Sequence, residues 1–206
     1  MKAVLTLAWA VTSPLEIMGV ILGLVYVALA IRENRACWVA ALLSTMAYLW
    51  VFYRAGLYMQ ALLQLYYVII ALYGWRAWTK HPDKPALVVS RSPWAHHGLG
   101  LLFIAIATGL TVGWLTTQTA SVAPFLDSVT TWASVYATWL MARKKIDNWP
   151  WWLIVDSLIV LLCWQQALYA SVVLYGGYLI LVLLGWRSWA AELRMRTSDP
   201  ASGLST

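Results

Sequence analysis

Residues 57–78 read LYMQALLQLYYVIIALYGWRAW, and residues 168–189 read LYASVVLYGGYLILVLLGWRSW. The two stretches align without a gap at an offset of 111 residues. Leu63 falls on Leu174, Tyr67 on Tyr178, Ile69 on Ile180, and a GWRxW ending closes both. The same offset lays Trp38 on Trp149, Arg32 on Arg143 and Glu16 opposite Asp127. Apolar helices match one another cheaply, but a constant offset held over so long a stretch marks two copies of one unit.

The chain around this repeat is 62% hydrophobic and 11% charged over 206 residues. Soluble domains sit nearer half apolar and a quarter charged, so most of this surface must face lipid. Apolar runs at residues 14–31, 37–53, 57–78, 95–115, 122–141, 149–166 and 168–189 each suit one helical crossing of a hydrocarbon core about 30 Å thick. Open sheets would leave peptide groups unpaired in lipid, and the runs do not alternate as barrel strands do. The expected fold is an all-α membrane protein of seven transmembrane helices. It divides into a three-helix bundle (14–78), a linker helix (95–115) and a second three-helix bundle (122–189). Three crossings invert a unit, so the fourth helix restores a common direction and gives a 3+1+3 parallel repeat. Residues 3–11 read as a short interfacial segment, and the charged, then Ser- and Gly-bearing, tail as frayed.

Charge fixes the expected orientation. With seven crossings, Lys2 and Arg54 lie on one side. Arg32, Arg35, Arg76, Lys80, Lys84, Arg91, Arg143, Lys144, Lys145, Arg187, Arg194 and Arg196 lie on the other. Two against twelve places the amino terminus outside and the carboxyl terminus in the cytoplasm of a bacterial inner membrane. The net charge of +6 is spread over these turns, not gathered on a soluble face, so nucleic acid is not an expected partner. Membrane lipid is. Cys37 and Cys163 lie on different spans and form neither a disulfide framework nor a metal cluster. His81, His96 and His97 sit in or beside the linker without an acid or thiol cluster, so no metal and no cofactor is expected.

Ionisable groups inside a span are costly and are functional by default. Asp156 lies near the centre of the sixth helix, where the repeat puts Thr45 in the first half. Gln60, Gln64 and Tyr67 share one face of the third helix, and Ser171, Tyr175 and Tyr178 take their places on the seventh. Trp149 and Trp152 share the face of Asp156. These groups compose a polar and aromatic girdle between the halves. Each also has a structural reading, as interhelical glue for Gln64 and Tyr67 or a satisfied buried acid for Asp156. Glu16 and Asp127 lie in the outer part of their spans, where a gate or helix-start role is as open as binding. Trp75, Trp78, Trp186 and Trp189 are expected in an interfacial aromatic belt. Gly19, Gly23, Gly109, Gly113, Gly176 and Gly177 are candidates for close helix approach or equally for hinges. An enzyme would need a nucleophile, a metal cluster or an acid–base pair, and none is present. A sensor would carry a soluble output domain, for which the chain has no room.

The combination GxxxGLxYVxLAxREN (residues 19–34), LYxxxLLQxYYxxxxxYGWxxW (57–78), FLDS (125–128) and RKKIDNWPWWxxxD (143–156) resembles the PnuC-type vitamin transporters. The likeness runs from about residue 15 to residue 189. It implies a SWEET-like fold and uptake of nicotinamide riboside by facilitated diffusion, with a cytoplasmic kinase as metabolic partner that traps the product. It implies substrate contacts at Gln64, Tyr67, Trp152 and Asp156, to which the repeat adds Tyr175 and Tyr178. Some relatives carry Asn at the position of Asp156, and other branches carry thiamine or related vitamins. Thiamine and a proton-coupled carrier are therefore the alternatives. A homo-oligomer is compatible with the chain.

Overall fold

The computed structural model describes residues 14–54, 58–79, 85–118, 124–165 and 169–198. Seven helices stand among them: α1 (Pro14–Ile31), α2 (Cys37–Arg54), α3 (Tyr58–Trp78), α4 (Trp94–Gln118), α5 (Pro124–Ala142), α6 (Asn148–Gln165) and α7 (Tyr169–Ser198). Their ends lie close to those read from the apolar runs. The shortest have 18 residues, about 27 Å at 1.5 Å per residue, enough to cross a bilayer core. Trp94–Trp114 and Ser171–Arg196 carry the longest strongly apolar windows. Residues 3–11, and the segments at 55–57, 80–84, 119–123 and 166–168, lie outside the described residues.

The tail departs from expectation. Helix α7 continues past Trp189 to Ser198 instead of fraying at the apolar boundary. Ala190, Ala191, Glu192, Leu193, Arg194, Met195 and Arg196 are strong helix formers. Arg196 Nε also meets Glu192 Oε1 at 2.7 Å, one turn back.

The helices are inverted relative to those of a water-soluble protein. On α3, Leu62, Leu65, Ile69 and Leu72 are exposed, while Ala61, Gln64, Ala71 and Gly74 are buried. On α5 the buried face carries Ser128, Thr130, Ala133, Ser134, Ala137 and Thr138. Their hydroxyls turn back on their own helix: Ser134 Oγ donates to Thr130 O and Thr138 Oγ1 to Ser134 O, both at 2.7 Å. Small and polar inside with branched apolar outside is the pattern lipid selects.

Two compact units divide the chain, one up to Leu87 and one from Val88 onward. In the first, α1 packs on α2 and α2 on α3. Ser44 Oγ donates to Gly19 O at 2.8 Å, tying α2 to α1. In the second, α4 packs on α5, α5 on α6 and α6 on α7, so the fourth helix belongs to the second unit.

The offset of 111 residues reappears atom by atom. Helix α1 ends in a Schellman turn, with Asn34 N–H on Leu29 O (3.0 Å) and Glu33 N–H on Ala30 O (3.0 Å). Helix α5 ends identically, with Lys145 N–H on Leu140 O (2.9 Å) and Lys144 N–H on Met141 O (2.9 Å). Glu33 (φ 52°) and Lys144 (φ 50°), one offset apart, both take the left-handed conformation that such a turn needs. Just beyond, Trp38 and Trp149 are each only 1% exposed. Trp38 lies on Gly74 and meets Trp78 edge-to-face, with centroids 5.5 Å apart. Trp149 lies on Gly185 and meets Trp189 edge-to-face at 5.4 Å. Each unit thus carries the same Trp–Gly–Trp knot.

The knots correct two expectations. Trp78 and Trp189 are buried knot members and not belt residues, and Trp149 is equally removed from the surface. Trp75 and Trp186, each 38% exposed, fit a belt. Of the glycines expected to allow close approach, Gly19 does, against Tyr48. A Cβ at Gly109, Gly113, Gly176 or Gly177 would meet nothing within 4 Å. Their freedom was not needed for packing, whereas Gly74 and Gly185 leave no room for a methyl group beneath the indoles.

Gly74→Ala and Gly185→Ala are therefore expected to destabilise the protein by about 1–3 kcal/mol each through overpacking. Gly177→Ala should leave stability unchanged or raise it by up to about 1 kcal/mol. Thermal unfolding of the purified variants in detergent checks this. Equal melting temperatures for all three would contradict the role of the knots.

Candidate functional site

In the first unit, the face of α3 that carries Gln64 turns inward. Gln64 is buried and makes no hydrogen bond among the described residues. Tyr67 lies three residues on, its ring 5.6 Å from that of Tyr66. On α1, the ring of Tyr26 tilts against that of Trp38, with centroids 5.8 Å apart. Thr45, the repeat partner of Asp156, donates its hydroxyl to Leu42 O within its own helix at 3.0 Å and is thereby satisfied.

In the second unit, α6 begins at Asn148, with Pro150 in its first turn, where a missing N–H costs nothing. Asp156 is 4% exposed, and no hydrogen-bond donor or basic group among the described residues meets its carboxyl group. A buried carboxyl group without a partner is expensive, and a fold that needed only packing would have no use for it. One turn before it, Trp152 packs against the cluster of Ile104, Ala133, Tyr136, Leu140 and Val155, which holds its indole in place. On α7, Tyr175 and Tyr178 pair at 5.8 Å between ring centroids. The six expected contact residues thus stand as a Gln64/Tyr67 pair on α3, a Trp152/Asp156 pair on α6 and a tyrosine pair on α7.

Asp127 lies in the first turn of α5, half-buried, where the helix dipole favours an acid. That placement accords with the helix-start reading. Glu16 falls in the first turn of α1, and its side chain lies outside the described part of the structure.

The basic end of the second unit holds a polar chain that the sequence reading did not assemble. Segment 89–93 runs beside the α5–α6 turn. Ser90 N–H donates to Lys144 O (3.1 Å), Ile146 N–H to Ser90 O (3.0 Å), and Lys145 Nζ to Ser90 Oγ (2.9 Å). Asp147 Oδ2 accepts from Ser92 N–H at 2.5 Å, just before α4 begins, and faces His97 Nε2 at 3.9 Å. Trp151 Nε1–H donates to His97 Nδ1 at 3.4 Å. The Tyr136 hydroxyl spends its proton on His96 O (3.0 Å), so Trp151 is the donor at Nδ1. The neutral imidazole then carries its proton on Nε2, pointing at Asp147. His97 orients Trp151, whose ring also meets Tyr136 edge-on at 5.0 Å. The alternation of a basic turn, an acid and paired tryptophans in RKKIDNWPWW was the only sequence signal for this chain of contacts. Among the described residues no group of three or more His, Cys, Asp or Glu is placed to hold a metal, and Cys37 and Cys163 form no disulfide.

Long helices with lipid-facing apolar flanks, buried polar side chains and no catalytic constellation define a membrane carrier. The comparisons specify it. Residues 13–191 match the family model described as nicotinamide mononucleotide transporter. The riboflavin/roseoflavin transporter RibM of Streptomyces davaonensis is 31% identical over 190 residues, covering 90% of this chain and 88% of the relative. The nicotinamide riboside transporter PnuC of Escherichia coli is 25% identical over 216 residues, covering 91% and 90%. The crystal structure of the vitamin B3 transporter PnuC superposes with a TM-score of 0.71 at 21% identity, over 93% of this chain and 87% of that one. The chain belongs to the nicotinamide mononucleotide transporter family. It is a multi-pass membrane transporter and not an enzyme. The fold is that of PnuC, and the resemblance read from the four motifs is borne out.

Asp147→Ala is expected to cost about 1 kcal/mol through loss of the contact at the start of α4. His97→Ala should cost less in that background than in the wild type, because the two side chains act through one contact. A double-mutant cycle on thermal unfolding measures the coupling, and strictly additive losses would show the two residues to be independent.

Proposed function

We propose that the protein mediates uptake of nicotinamide riboside across the bacterial inner membrane by facilitated diffusion. The observation that carries the reading is the carboxyl group of Asp156, 4% exposed and met by no donor or basic group among the described residues, one turn from the indole of Trp152. The nicotinamide ring of the riboside bears a fixed positive charge. An indole face attracts such a ring by roughly 0.5–2 kcal/mol, and a carboxylate in low dielectric supplies its counter-charge. Gln64, Tyr67, Tyr175 and Tyr178 contribute the amide and hydroxyl groups that the ribosyl arm requires, each unit offering its own set. The residues that carry no charge-reading role, Glu16 and Asp127, serve at the helix starts.

The two related units with α4 added make the SWEET-like 3+1+3 repeat, with the amino terminus outside and the carboxyl terminus in the cytoplasm. The positive-inside count supports that orientation. An inside-negative potential favours entry of a monovalent cation by about 2.3 kcal/mol per 100 mV, so net uptake needs no coupling ion. Phosphorylation by a cytoplasmic kinase then holds the product inside.

A second reading rests on the riboflavin/roseoflavin transporter, a relative at 31% identity. Riboflavin has a neutral ring system, for which an unpartnered carboxylate offers no charge complement. Thiamine, whose thiazolium ring is cationic, would use Asp156 as the riboside does.

Calorimetric titration of the purified protein with nicotinamide riboside, its mononucleotide, thiamine and riboflavin separates these readings. Saturable binding of the riboside, weakened about tenfold or more in Asp156→Asn, is the expected result. Binding of riboflavin alone, indifferent to Asp156→Asn, would overturn it. In proteoliposomes, an inside-negative potassium diffusion potential should accelerate uptake without a pH gradient. Uptake that answers only to a pH gradient would instead make the protein a proton-coupled carrier.

A further inference from the structure

Arg143 follows Ala142, the last residue of α5, and its guanidinium lies over the ring of Trp139, 5.0 Å from the centroid. The side chain is exposed, and its N–H groups meet no acceptor among the described residues. The described acids of the same unit are committed or remote. Asp147 accepts from Ser92 N–H, Glu192 pairs with Arg196, Asp127 lies in the first turn of α5, and Asp156 lies within α6. A ring covers one face of a guanidinium and leaves its edge free to donate. The arginine is thus held in place and still lacks an anion.

His96 reaches the same ring. Its imidazole is half-buried, meets Trp139 at 6.3 Å between centroids, and has no hydrogen-bond partner among the described residues. Its backbone carbonyl accepts from the Tyr136 hydroxyl at 3.0 Å, and Tyr136 stacks on Trp139, so α4 and α5 are joined at this level. Seven residues deeper on each helix, Phe103 meets Trp132 edge-on at 5.6 Å. Trp132 Nε1–H donates to Thr111 Oγ1 at 2.9 Å, which fixes the indole. The two aromatic rungs stand about 10 Å apart along the α4–α5 seam. From the first rung, His96, Leu99, Phe103, Ile106 and Leu110 follow one another at steps of three and four along one face of α4, and the last four are exposed. The stripe runs about 21 Å inward from a polar end at the helix boundary.

The repeat adds an independent observation. One offset earlier, Arg143 falls on Arg32, but Trp139 falls on Ala28 and Trp132 on Ile21. Helix α4 has no counterpart in the first unit. The basic residue recurs, as orientation in a membrane requires, whereas the rings and the helix that frame it do not.

We propose that this end of the α4–α5 seam binds one anionic phospholipid, its phosphodiester between Arg143 and His96 and an acyl chain along the exposed face of α4. An unpaired guanidinium at the edge of the hydrocarbon calls for an anion. A phosphodiester offers two oxygens, one for the guanidinium edge and one for an imidazole N–H. The stripe carries the site on into hydrocarbon, where a lipid has a tail and a free phosphate has none. A zwitterionic lipid brings its own cation and so leaves less charge for the arginine. The inference does not depend on which vitamin is carried.

The test reconstitutes the full-length protein in vesicles of phosphatidylglycerol and phosphatidylcholine in equal parts. Native mass spectrometry after release into detergent reads which lipid stays bound. Wild-type protein should retain phosphatidylglycerol in preference. Arg143→Gln should lower that preference about tenfold, the loss of a charge-assisted contact, and Arg143→Lys should lower it less. His96→Leu, which removes the other donor, should lower it as well. Arg32→Gln, the same change one offset earlier, should leave it unchanged. Melting temperatures in phosphatidylcholine alone confirm that each variant is folded. Equal retention of both lipids by the wild type would overturn the proposal. So would equal losses in Arg143→Gln and Arg32→Gln, which would reduce the effect to the general charge of the basic ends. Displacement of the bound lipid by glycerol phosphate would overturn it too, by making this a site for soluble phosphate.

Discussion

Hydrocarbon cannot solvate a peptide group, and the architecture follows from that one constraint. Every crossing must close its own hydrogen bonds, so each of the seven segments is a helix, and the ladder of bonds breaks only in the turns. Once lipid is the solvent, burying leucine gains nothing over leaving it outside. The helices instead turn their small and hydroxyl-bearing faces inward and leave Leu62, Ile69 and Leu72 to the acyl chains. Close approach through small residues becomes the means of holding helices together, and it is carried furthest where Trp38 and Trp149 lie on Gly74 and Gly185. The same solvent makes a buried polar group conspicuous, because water cannot reach it to satisfy it.

The repeat separates structure from function within the chain. Features that recur at the offset are structural: the Schellman turns, the left-handed Glu33 and Lys144, and the knots. That opposite charges occupy the two left-handed positions shows that the turn is specified by its backbone and not by its side chains. Among the candidate site residues, Gln64 and Asp156 do not recur, whereas Tyr67 and Tyr178 do. Asp156 stands where the first unit has Thr45, whose hydroxyl is satisfied inside its own helix. The two units share a scaffold and differ at a few buried polar positions.

Much of the fold was legible in the sequence because apolar run length and interrupting charge are sufficient signals for crossings in lipid. The offset of 111 was legible too, and it led to Trp38 and Trp149 before any coordinates. The role of the tryptophans was not. Trp75 and Trp78 look alike in GWRAW, yet one faces outward and the other is buried, and only the rotation of α3 against α2 decides which. Glycines at 176 and 177 promised close packing, yet a Cβ at either would meet no atom of the described residues within 4 Å. Asp156 was legible as an acid out of place. Its lack of a partner among the described residues was not, because that depends on the helices packed around it. The contact running from Asp147 through His97 to Trp151 joins residues fifty or more apart along the chain, and no local pattern announces it.

That last contact orders events in time as well as space. The group that meets Ser92 N–H, the Asp147 carboxylate, lies 55 residues further along the chain. At about 5–20 residues per second, Ser92 is made roughly 3–11 s before Asp147. During that interval the segment leading into the fourth helix lacks the carboxylate that Ser92 N–H meets in the finished fold. The junction at segment 89–93 closes only after the α5–α6 turn has been made. Assembly of the second half is thus gated by translation, and its earliest helix is the last to be locked.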